Sequence, residues 1–292
     1  MAVWCFGSIN IDHVYTLPHL PAPGETLAAR GYRSALGGKG ANQSVAAARA
    51  GAKVRHIGAV GSDGAAALAG LEVAGVDCRG VQQLEGPTGH AVIMVEPEGE
   101  NSIVLCPGAN RALSLEAAMA ALDGVELDDI LLIQNETAHQ AEIAEAALGL
   151  GMDVVYSAAP FDLDAVQAVM PFVNTLVMNA VEAAQLQAAL GVAFEDLPVS
   201  NVVVTRGAEG ASWSSRGMDA IHVPALPVKV VDTTGAGDCF AGALAAALDR
   251  GAVPEEAMRF AAAAAALQVS RPGTAAAMPA LSEIMALLGE SG

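Results

Sequence analysis

Asp238 stands at the point where a glycine-rich turn, DTTGAGD, becomes an alanine-rich helix. Backbone N–H groups at the start of a helix carry partial positive charge, and a turn of small residues lets an anion approach them closely. Gly235, Ala236 and Gly237 are therefore candidates to hold phosphate oxygens. The carboxylate of Asp238 is either the cap of the following helix or a base that acts beside the bound anion.

Residues 37–42, GGKGAN, form a second glycine-rich segment before a predicted helix. The segment is not a P-loop, because Gly40 rather than Ser or Thr follows Lys39, and Ser34 occupies the place of the upstream glycine. Its glycines allow close approach of the backbone, and Lys39 and Asn42 offer donors and acceptors that suit sugar hydroxyls. The alternative is a structural strand-to-helix turn with an exposed lysine.

Polar residues also follow predicted strands. Asn10 and Asp12, in GSINID, point the same way if the first strand continues, and open α/β sheets bind ligands at the carboxyl ends of their strands. Their alternative is a turn with a helix cap. Glu136 ends another buried strand in LLIQNETA and, taken alone, is better explained as a structural residue.

Two more segments could contact a phosphorylated ligand. In NAVE, three-residue spacing places Asn179 and Glu182 on one face of a helix. They are either an N-cap with a first-turn Glu or oxygen ligands that hold Mg²⁺ mainly through water. Residues 205–210, TRGAEG, are equally consistent with a hairpin and with a loop that contacts a nucleotide.

The elements that must position these residues alternate along the chain. Apolar strand-like runs such as VWCFGSI and NVVVTRG alternate with alanine-rich runs such as ANQSVAAARAG. This pattern predicts an α/β fold with a doubly wound, mostly parallel central sheet flanked by helices, in a single domain over residues 1–292. Residues 13–34 and 89–106 interrupt the alternation, and the second segment is predicted to be a hairpin that turns at Glu98-Gly99. Together they predict a small β-sheet that projects from the main one.

The composition excludes some classes of function. Acidic residues number 32 against 14 basic ones, and the formal net charge of −18 argues against a nucleic-acid partner. The four cysteines have no paired spacing, which predicts reduced thiols rather than disulfides or a zinc site. No apolar run approaches the roughly 18 residues that cross a bilayer, and the N-terminus lacks the basic stretch of a secretory signal. We therefore expect a cytoplasmic protein without a membrane partner.

The order of the motifs resembles the ribokinase branch of the PfkB sugar-kinase family over nearly the whole chain. GGKGAN lies in the first fifth and DTTGAGDCFAGAL in the last quarter, with GSINID, NAVE and TRGAEG in sequence. The segment PTGHAVIMVEPEGENSIVLCPGAN is similar to the lid strand and GEN turn of ribokinases. The two end motifs together are highly specific. The resemblance implies an ATP-dependent kinase for the primary hydroxyl of a small sugar, with D-ribose phosphorylated at O5 as the expected reaction.

The resemblance also implies roles for individual residues. The residues expected to contact the sugar are Asn10, Asp12, Gly38, Lys39, Asn42 and Glu136, with Asp238 as the base. The N–H groups of Gly235, Ala236 and Gly237 would stabilise the γ-phosphoryl oxygens. Because the sugar set matches completely, ribose is favoured over adenosine, fructose phosphates or ketodeoxygluconate. The alternatives are a kinase for another sugar or nucleoside and a non-catalytic sugar sensor.

On the nucleotide side, the resemblance implies ATP, Mg²⁺ and a monovalent cation, usually K⁺. The expected ATP contacts are Asn179, Thr205, Arg206, Gly207, Ala208, Glu209, Gly210, Gly237 and Ala262. Asn179 and Glu182 would organise Mg²⁺. The expected K⁺ positions are Asp232 and Thr234, together with backbone carbonyls near Gln268, Arg271 and Gly273.

The chain departs from the family pattern mainly on the nucleotide side. Ala262 stands where Asn or His is common, and Ala277 stands where a contact of the cation loop is usually polar. Residues 196–200 form a shorter link than usual, and residues 157–160 read SAAP where NPAP is common. Ribokinases often dimerise through their lids, so a homodimer is also expected.

Overall fold

The computed structural model describes residues 1–97 and 99–289 of the chain, and within them thirteen strands and nine α-helices form. The strands are β1 (Val3–Phe6), β2 (Asn10–Thr16), β3 (Gly31–Gly37), β4 (Val54–Val60), β5 (Val76–Gln83), β6 (Gly89–Val95), β7 (Asn101–Cys106), β8 (Ile130–Ile133), β9 (Asp153–Ser157), β10 (Thr175–Asn179), β11 (Asn201–Thr205), β12 (Ala211–Ser215) and β13 (Ile221–Val223). The helices are α1 (Lys39–Arg49), α2 (Ala65–Val73), α3 (Leu115–Ala120), α4 (Gln140–Gly149), α5 (Leu163–Val169), α6 (Ala180–Leu190), α7 (Ala236–Asp249), α8 (Pro254–Val269) and α9 (Leu281–Leu288).

The central sheet has the strand order β13-β12-β11-β10-β9-β8-β1-β4-β5. The strands from β11 to β5 in this order pair in parallel, and β12 and β13 add an antiparallel edge. Helices α1, α2, α7, α8 and α9 form a core on one face, and α3 to α6 form a core on the other. Strands buried on both faces are apolar throughout, which explains runs such as ILLI. The predicted doubly wound fold is confirmed.

Small residues let α7 and α1 pack closely. A Cβ added to Gly242 of α7 would lie 2.4 Å from the carbonyl oxygen of Gln43 and 2.7 Å from the Cβ of Ala46 in α1. Real Cβ atoms do not approach backbone atoms this closely, so the contact requires glycine. The close approach brings the first turn of α7, which carries Asp238, beside the first turn of α1, which carries Asn42.

A second sheet, called the lid sheet here, has the strand order β3-β2-β6-β7. The predicted hairpin over residues 89–106 is confirmed, and Glu98 of its predicted turn lies outside the described residues. The other lid segment is longer than the predicted 13–34, because pairing continues outward to Asn10 with Gly37. Asn10 and Asp12 therefore lie on a lid strand and not on a continuation of β1, although they share a face as predicted.

Within residues 1–97 and 99–289, no helix is both long enough and apolar enough to cross a bilayer. Cys5, Cys78, Cys106 and Cys239 are all free thiols.

Candidate active site

The carboxylate of Asp238 lies in the first turn of α7, and the residue is 7% exposed. Its Oδ2 accepts a hydrogen bond from Nδ2 of Asn42 and its Oδ1 accepts one from Nε2 of Gln43, both at 3.0 Å. Gly235, directly before the helix, has φ of 81°, a conformation that favours glycine. The turn predicted to bind an anion therefore presents the first N–H groups of α7 beside a fixed carboxylate.

Gln43 is itself held by a second buried amide. Nε2 of Gln134 donates to Oε1 of Gln43 at 2.7 Å, and both side chains are almost fully buried. Sequence reasoning missed both residues. Gln43 directly follows the GGKGAN motif, which was a usable signal, whereas Gln134 at the end of β8 carried none.

Burial and neighbouring charges have opposing effects on the pKa values of Asp238 and Lys39. Burial raises the pKa of Asp238, although the Lys39 ammonium and the amides of Asn42 and Gln43 act in the opposite direction. Burial alone would lower the pKa of Lys39, but the carboxylates of Asp238, Glu136 and Glu182 outweigh it and raise that pKa. Lys39 therefore stays protonated among the three acids.

Asn42 has hydrogen-bonding capacity that the protein does not use. Its Nδ2 is committed to Asp238, whereas its Oδ1 is buried and has no hydrogen-bond partner among the described residues. A buried acceptor without a donor is costly, so the atom is poised to accept from a ligand hydroxyl. Glu136 is close by in the same constellation: its Oε2 accepts from the backbone N–H of Lys39 at 3.0 Å and from the hydroxyl of Ser8.

Asn10 and Asp12 bring two more polar side chains from the lid sheet. Oδ1 of Asn10 accepts from Nδ2 of Asn110 at 2.8 Å, a buried partner that sequence reasoning missed. Burial and the nearby Glu136 raise the pKa of Asp12 to about 6, and Arg33 partly offsets this shift. A Cβ on Gly37 would lie 2.1 Å from Oδ2 of Asp12, so this glycine makes room for the carboxylate.

The GGKG segment allows the backbone to pass close to the end of β1. Gly38 has φ of 89°, and Gly40 is so close to the chain after β1 that an added Cβ would lie 2.5 Å from the backbone of Gly7 and Ser8. This approach explains the glycines at 38 and 40 and fixes where α1 begins. In the same segment, Lys39 lies beside Glu136 and Asn42 beside Asp238, whereas Gly38 packs against the backbone of Ser8 and Asn10.

An apolar pocket of about 510 Å³ opens on the other side of the turn. The predicted nucleotide residues that line it are Thr205, Gly207, Ala208, Gly210, Gly237 and Ala262. The rest of its lining includes Leu226, Val228, Phe240 and Ala266, which sequence reasoning did not single out. TRGAEG is the hairpin turn between β11 and β12, and it also forms a wall of this pocket.

Three predicted nucleotide residues lie outside the lining of this pocket. Arg206 turns away and donates to the hydroxyl of Ser212 at 2.6 Å, and Glu209 is exposed. Asn179 forms a capping box at the start of α6 with Glu182. Oδ1 of Asn179 accepts from the backbone N–H of Glu182, and Oε2 of Glu182 accepts from that of Asn179.

The residues predicted to hold a monovalent cation form two facing loops, one before α7 and one after α8. Asp232 accepts from the backbone N–H of Thr234 at 2.9 Å and from that of Gly273 at 3.0 Å. Nε2 of Gln268 donates to the carbonyl oxygens of Thr234 at 2.8 Å and Gly273 at 3.0 Å. The side chain of Arg271 pairs with Glu283 instead. Ala277, at the end of this region, is buried.

The polar side chains around Asp238 and the apolar pocket lie on opposite sides of the first turn of α7. A carboxylate stands on one side of the turn that is predicted to bind an anion, and the apolar pocket of about 510 Å³ opens on the other side. The model of the pfkB family of carbohydrate kinases matches residues 2–281. The chain belongs to this family.

The relatives of this carbohydrate kinase match it from end to end. The ribokinase of Haemophilus influenzae is 36% identical, with 97% of this chain and 96% of the relative covered. The ribokinase of Bacillus subtilis is 34% identical, with 97% of each covered. The structure of Arabidopsis thaliana ribokinase complexed with ribose and ATP superposes with a TM-score of 0.89 at 31% identity, and each chain is fully covered.

The family resemblance implies two metal ions, Mg²⁺ and a monovalent cation. The residues present fit Mg²⁺ better than they fit the monovalent cation. Glu182 suits Mg²⁺, because it supplies carboxylate oxygens and its charge interacts with those of Lys39 and Asp238, which places it near the turn. Within the described part of the chain, no three His, Cys, Asp or Glu side chains cluster as metal ligands, so phosphates and water would supply most of the shell. The monovalent cation fits poorly, since the amide of Gln268 already donates to two of its expected carbonyl ligands.

Proposed function

We propose that this carbohydrate kinase transfers the γ-phosphoryl group of ATP to O5 of D-ribose. The observation that carries the proposal is the setting of Asp238, a buried carboxylate between the anion-binding turn and an unpartnered acceptor on Asn42. Ribokinases that match the chain from end to end support ribose and ATP as the substrate pair.

The sugar would lie between the lid sheet and the start of α1. Asn10, Asp12 and Glu136 present oxygen acceptors, and Lys39 presents an ammonium donor, which suits the hydroxyls of a small sugar. Asn42 would accept a hydrogen bond from one sugar hydroxyl through its unpartnered Oδ1. These contacts would place the primary hydroxyl against Asp238 and hold the reacting oxygen in line with the turn.

Asp238 would accept the proton of the primary hydroxyl as the new P–O bond forms. Because phosphoryl transfer has a loose transition state, the N–H groups of Gly235, Ala236 and Gly237 and the Lys39 ammonium contribute more by stabilising charge than the base does by removing a proton. Mg²⁺, when bound, would neutralise negative charge on the phosphates of ATP. Glu182 and Asn179 would hold it, mainly through water.

The apolar pocket would take the adenosine of ATP. Its walls are the β11–β12 turn, residues 225–230 and the inner face of α8. Ala262 presents only a methyl group on the α8 side, so the base is held mainly by shape and apolar contact.

We also propose that two copies dimerise through their lid sheets. Ile103, Val104 and Leu105 are consecutive exposed apolar residues in the edge strand β7, and Tyr32 is exposed on the opposite edge strand. An uncharged, apolar edge strand favours pairing with another chain. Sedimentation velocity tests this proposal: a homodimer is expected, and Val104→Lys should give the monomer. A wild-type monomer at working concentration would contradict it.

We place the enzyme in the cytoplasm, where ATP is available and free thiols such as its four cysteines persist. The net charge of −18 argues against a nucleic-acid partner. Fractionation of the native cells, with the protein traced by antibody, tests this location, and recovery outside the cytoplasm would contradict it.

The substrate is tested with purified enzyme, ATP, Mg²⁺ and a panel of ribose, 2-deoxyribose, arabinose, fructose and adenosine. ADP is quantified by chromatography, and the phosphorylated position is assigned by ³¹P NMR. The highest kcat/KM is expected for ribose with phosphate on O5. A higher kcat/KM for another acceptor would support the other-sugar or nucleoside alternative. Ribose binding in calorimetry without ADP formation would support the sensor.

A further inference from the structure

Gln268 ties the anion-binding turn to the segment that follows α8. Its side chain is fully buried, and its Nε2 donates one hydrogen to the carbonyl of Thr234 and one to the carbonyl of Gly273. Asp232 reinforces the same junction by accepting from the N–H of Gly273. The backbone N–H groups of Val231 and Asp232 both donate to the carbonyl of Val269. The loop before α7 is therefore fixed by contacts within the chain.

The family resemblance assigned this junction to a monovalent cation. Such an ion needs several carbonyl oxygens that point at one place and are not directed at a donor on the same side. Here two of those oxygens point at the hydrogens of a primary amide, whose partial positive charge repels a cation. The carbonyl of Gln268 also accepts one hydrogen bond, from the backbone N–H of Arg271 at 3.0 Å. These two carbonyls therefore do not fit a bound K⁺, while Oε1 of the same amide is buried without a partner among the described residues.

We propose that the side-chain amide of Gln268 takes the place of the monovalent cation and makes phosphoryl transfer independent of K⁺. The inference rests on the proposed function, because it assumes that the turn from Gly235 to Gly237 holds the transferring phosphoryl group. The amide supplies partial positive charge to the same two carbonyls and keeps the loop in the conformation that presents its N–H groups. Thr274 also belongs to the junction. A Cβ added to Gly235 would lie 3.4 Å from Cγ2 of Thr274.

Wild-type enzyme is tested first, in chloride salts of K⁺, Na⁺ and choline at equal ionic strength, with tetramethylammonium ATP and MgCl₂. ADP is measured directly by chromatography, because coupling enzymes can respond to the salt themselves. The initial rates with ribose should agree within about twofold across the three salts, since bulk screening is the same. A rate in K⁺ several times higher than in choline would overturn the proposal.

Variants then test the amide itself. Gln268→Ala removes both donors, and Gln268→Glu keeps the shape but turns an acceptor toward the two carbonyls. Each variant is expected to lose about tenfold in kcat in choline, the loss expected for two net hydrogen bonds, and to recover most of it with K⁺. The matched control is Gln185→Glu on the exposed face of α6, which makes the same charge change far from the junction. A salt response equal to that of the control would contradict the role of Gln268.

Thermal unfolding without substrates provides a readout that does not depend on activity. K⁺ in place of choline should leave the Tm of the wild type unchanged and raise the Tm of Gln268→Glu, whose new carboxylate creates a cation site. A K⁺-induced rise in the wild-type Tm would overturn the proposal even if ribose were not the substrate. Failure of the proposed function is separate, because it appears as absence of ADP formation in every salt.

Discussion

Gln43 is predicted to set the pH range in which Asp238 works as a base. Its Nε2 donates to Oδ1 of Asp238 at 3.0 Å, and Gln134 holds it in that position. This hydrogen bond favours the ionised carboxylate and opposes the upward pKa shift that burial causes. Gln43→Leu removes the donor at nearly the same volume, so the pKa of Asp238 should rise further.

The magnitude follows from the strength of a hydrogen bond to a charged group. Such bonds contribute about 1.5–3 kcal/mol, which corresponds to roughly 1–2 pKa units when only the ionised form is stabilised. The base acts when ionised, so activity is lost as pH falls through its pKa. The acid limb of the kcat profile should therefore move upward by about 1–2 pH units in Gln43→Leu.

The assay is kcat for ribose at saturating ATP across the acid and neutral range, with ADP measured directly. Gln134→Leu serves as a graded comparison, because it removes the support of Gln43 and leaves the donor to Asp238 in place. Its acid limb should move less than that of Gln43→Leu. The reasoning is refuted if Gln43→Leu folds, turns over and keeps the wild-type acid limb.

The other predictions concern the lid, the backbone and the adenine pocket. Ribose binding by calorimetry should weaken about tenfold from about pH 7.5 to about pH 5, because the Asp12 carboxylate with a pKa of about 6 becomes protonated; an unchanged Kd, or the same pH dependence in Asp12→Asn, would contradict this. Gly40→Ala should cost about 1–3 kcal/mol in urea unfolding, since its Cβ would overlap the backbone near Gly7, whereas Gly149→Ala in open space should not; equal stability of the two would contradict the packing argument. Ala262→Asn should raise the ATP-to-GTP ratio of kcat/KM by about 2–10-fold through a new hydrogen bond to adenine. An unchanged ratio would mean that the adenine lies elsewhere.

The sequence predicted the fold class and the grouping of the site because both depend on local patterns. Strand and helix periodicity indicated the doubly wound sheet, and the glycine motifs marked turns whose neighbours, Lys39, Asn42 and Asp238, do lie together. The boundary of the first lid segment was wrong by three residues at each end, because pairing across Asn10 and Gly37 depends on a partner strand that is distant in sequence.

The supporting amides could not be predicted in the same way. Gln43, Gln134 and Asn110 act through burial and through contacts with residues about 90–200 positions away, which no local pattern reveals. Gln268 was named in the sequence only for its backbone carbonyl. Its side-chain amide is buried and donates to the carbonyls of Thr234 and Gly273. Only the three-dimensional structure shows these contacts.

The central claim is that Asp238 takes the proton from the sugar while the turn before it holds the γ-phosphoryl group. Asp238→Asn keeps the shape and one of the two accepted hydrogen bonds but removes the base. The measurement is kcat with ribose together with ATP affinity by calorimetry. We expect kcat to fall by at least about 10²-fold with ATP affinity nearly unchanged. Near-normal turnover in this variant would contradict the account.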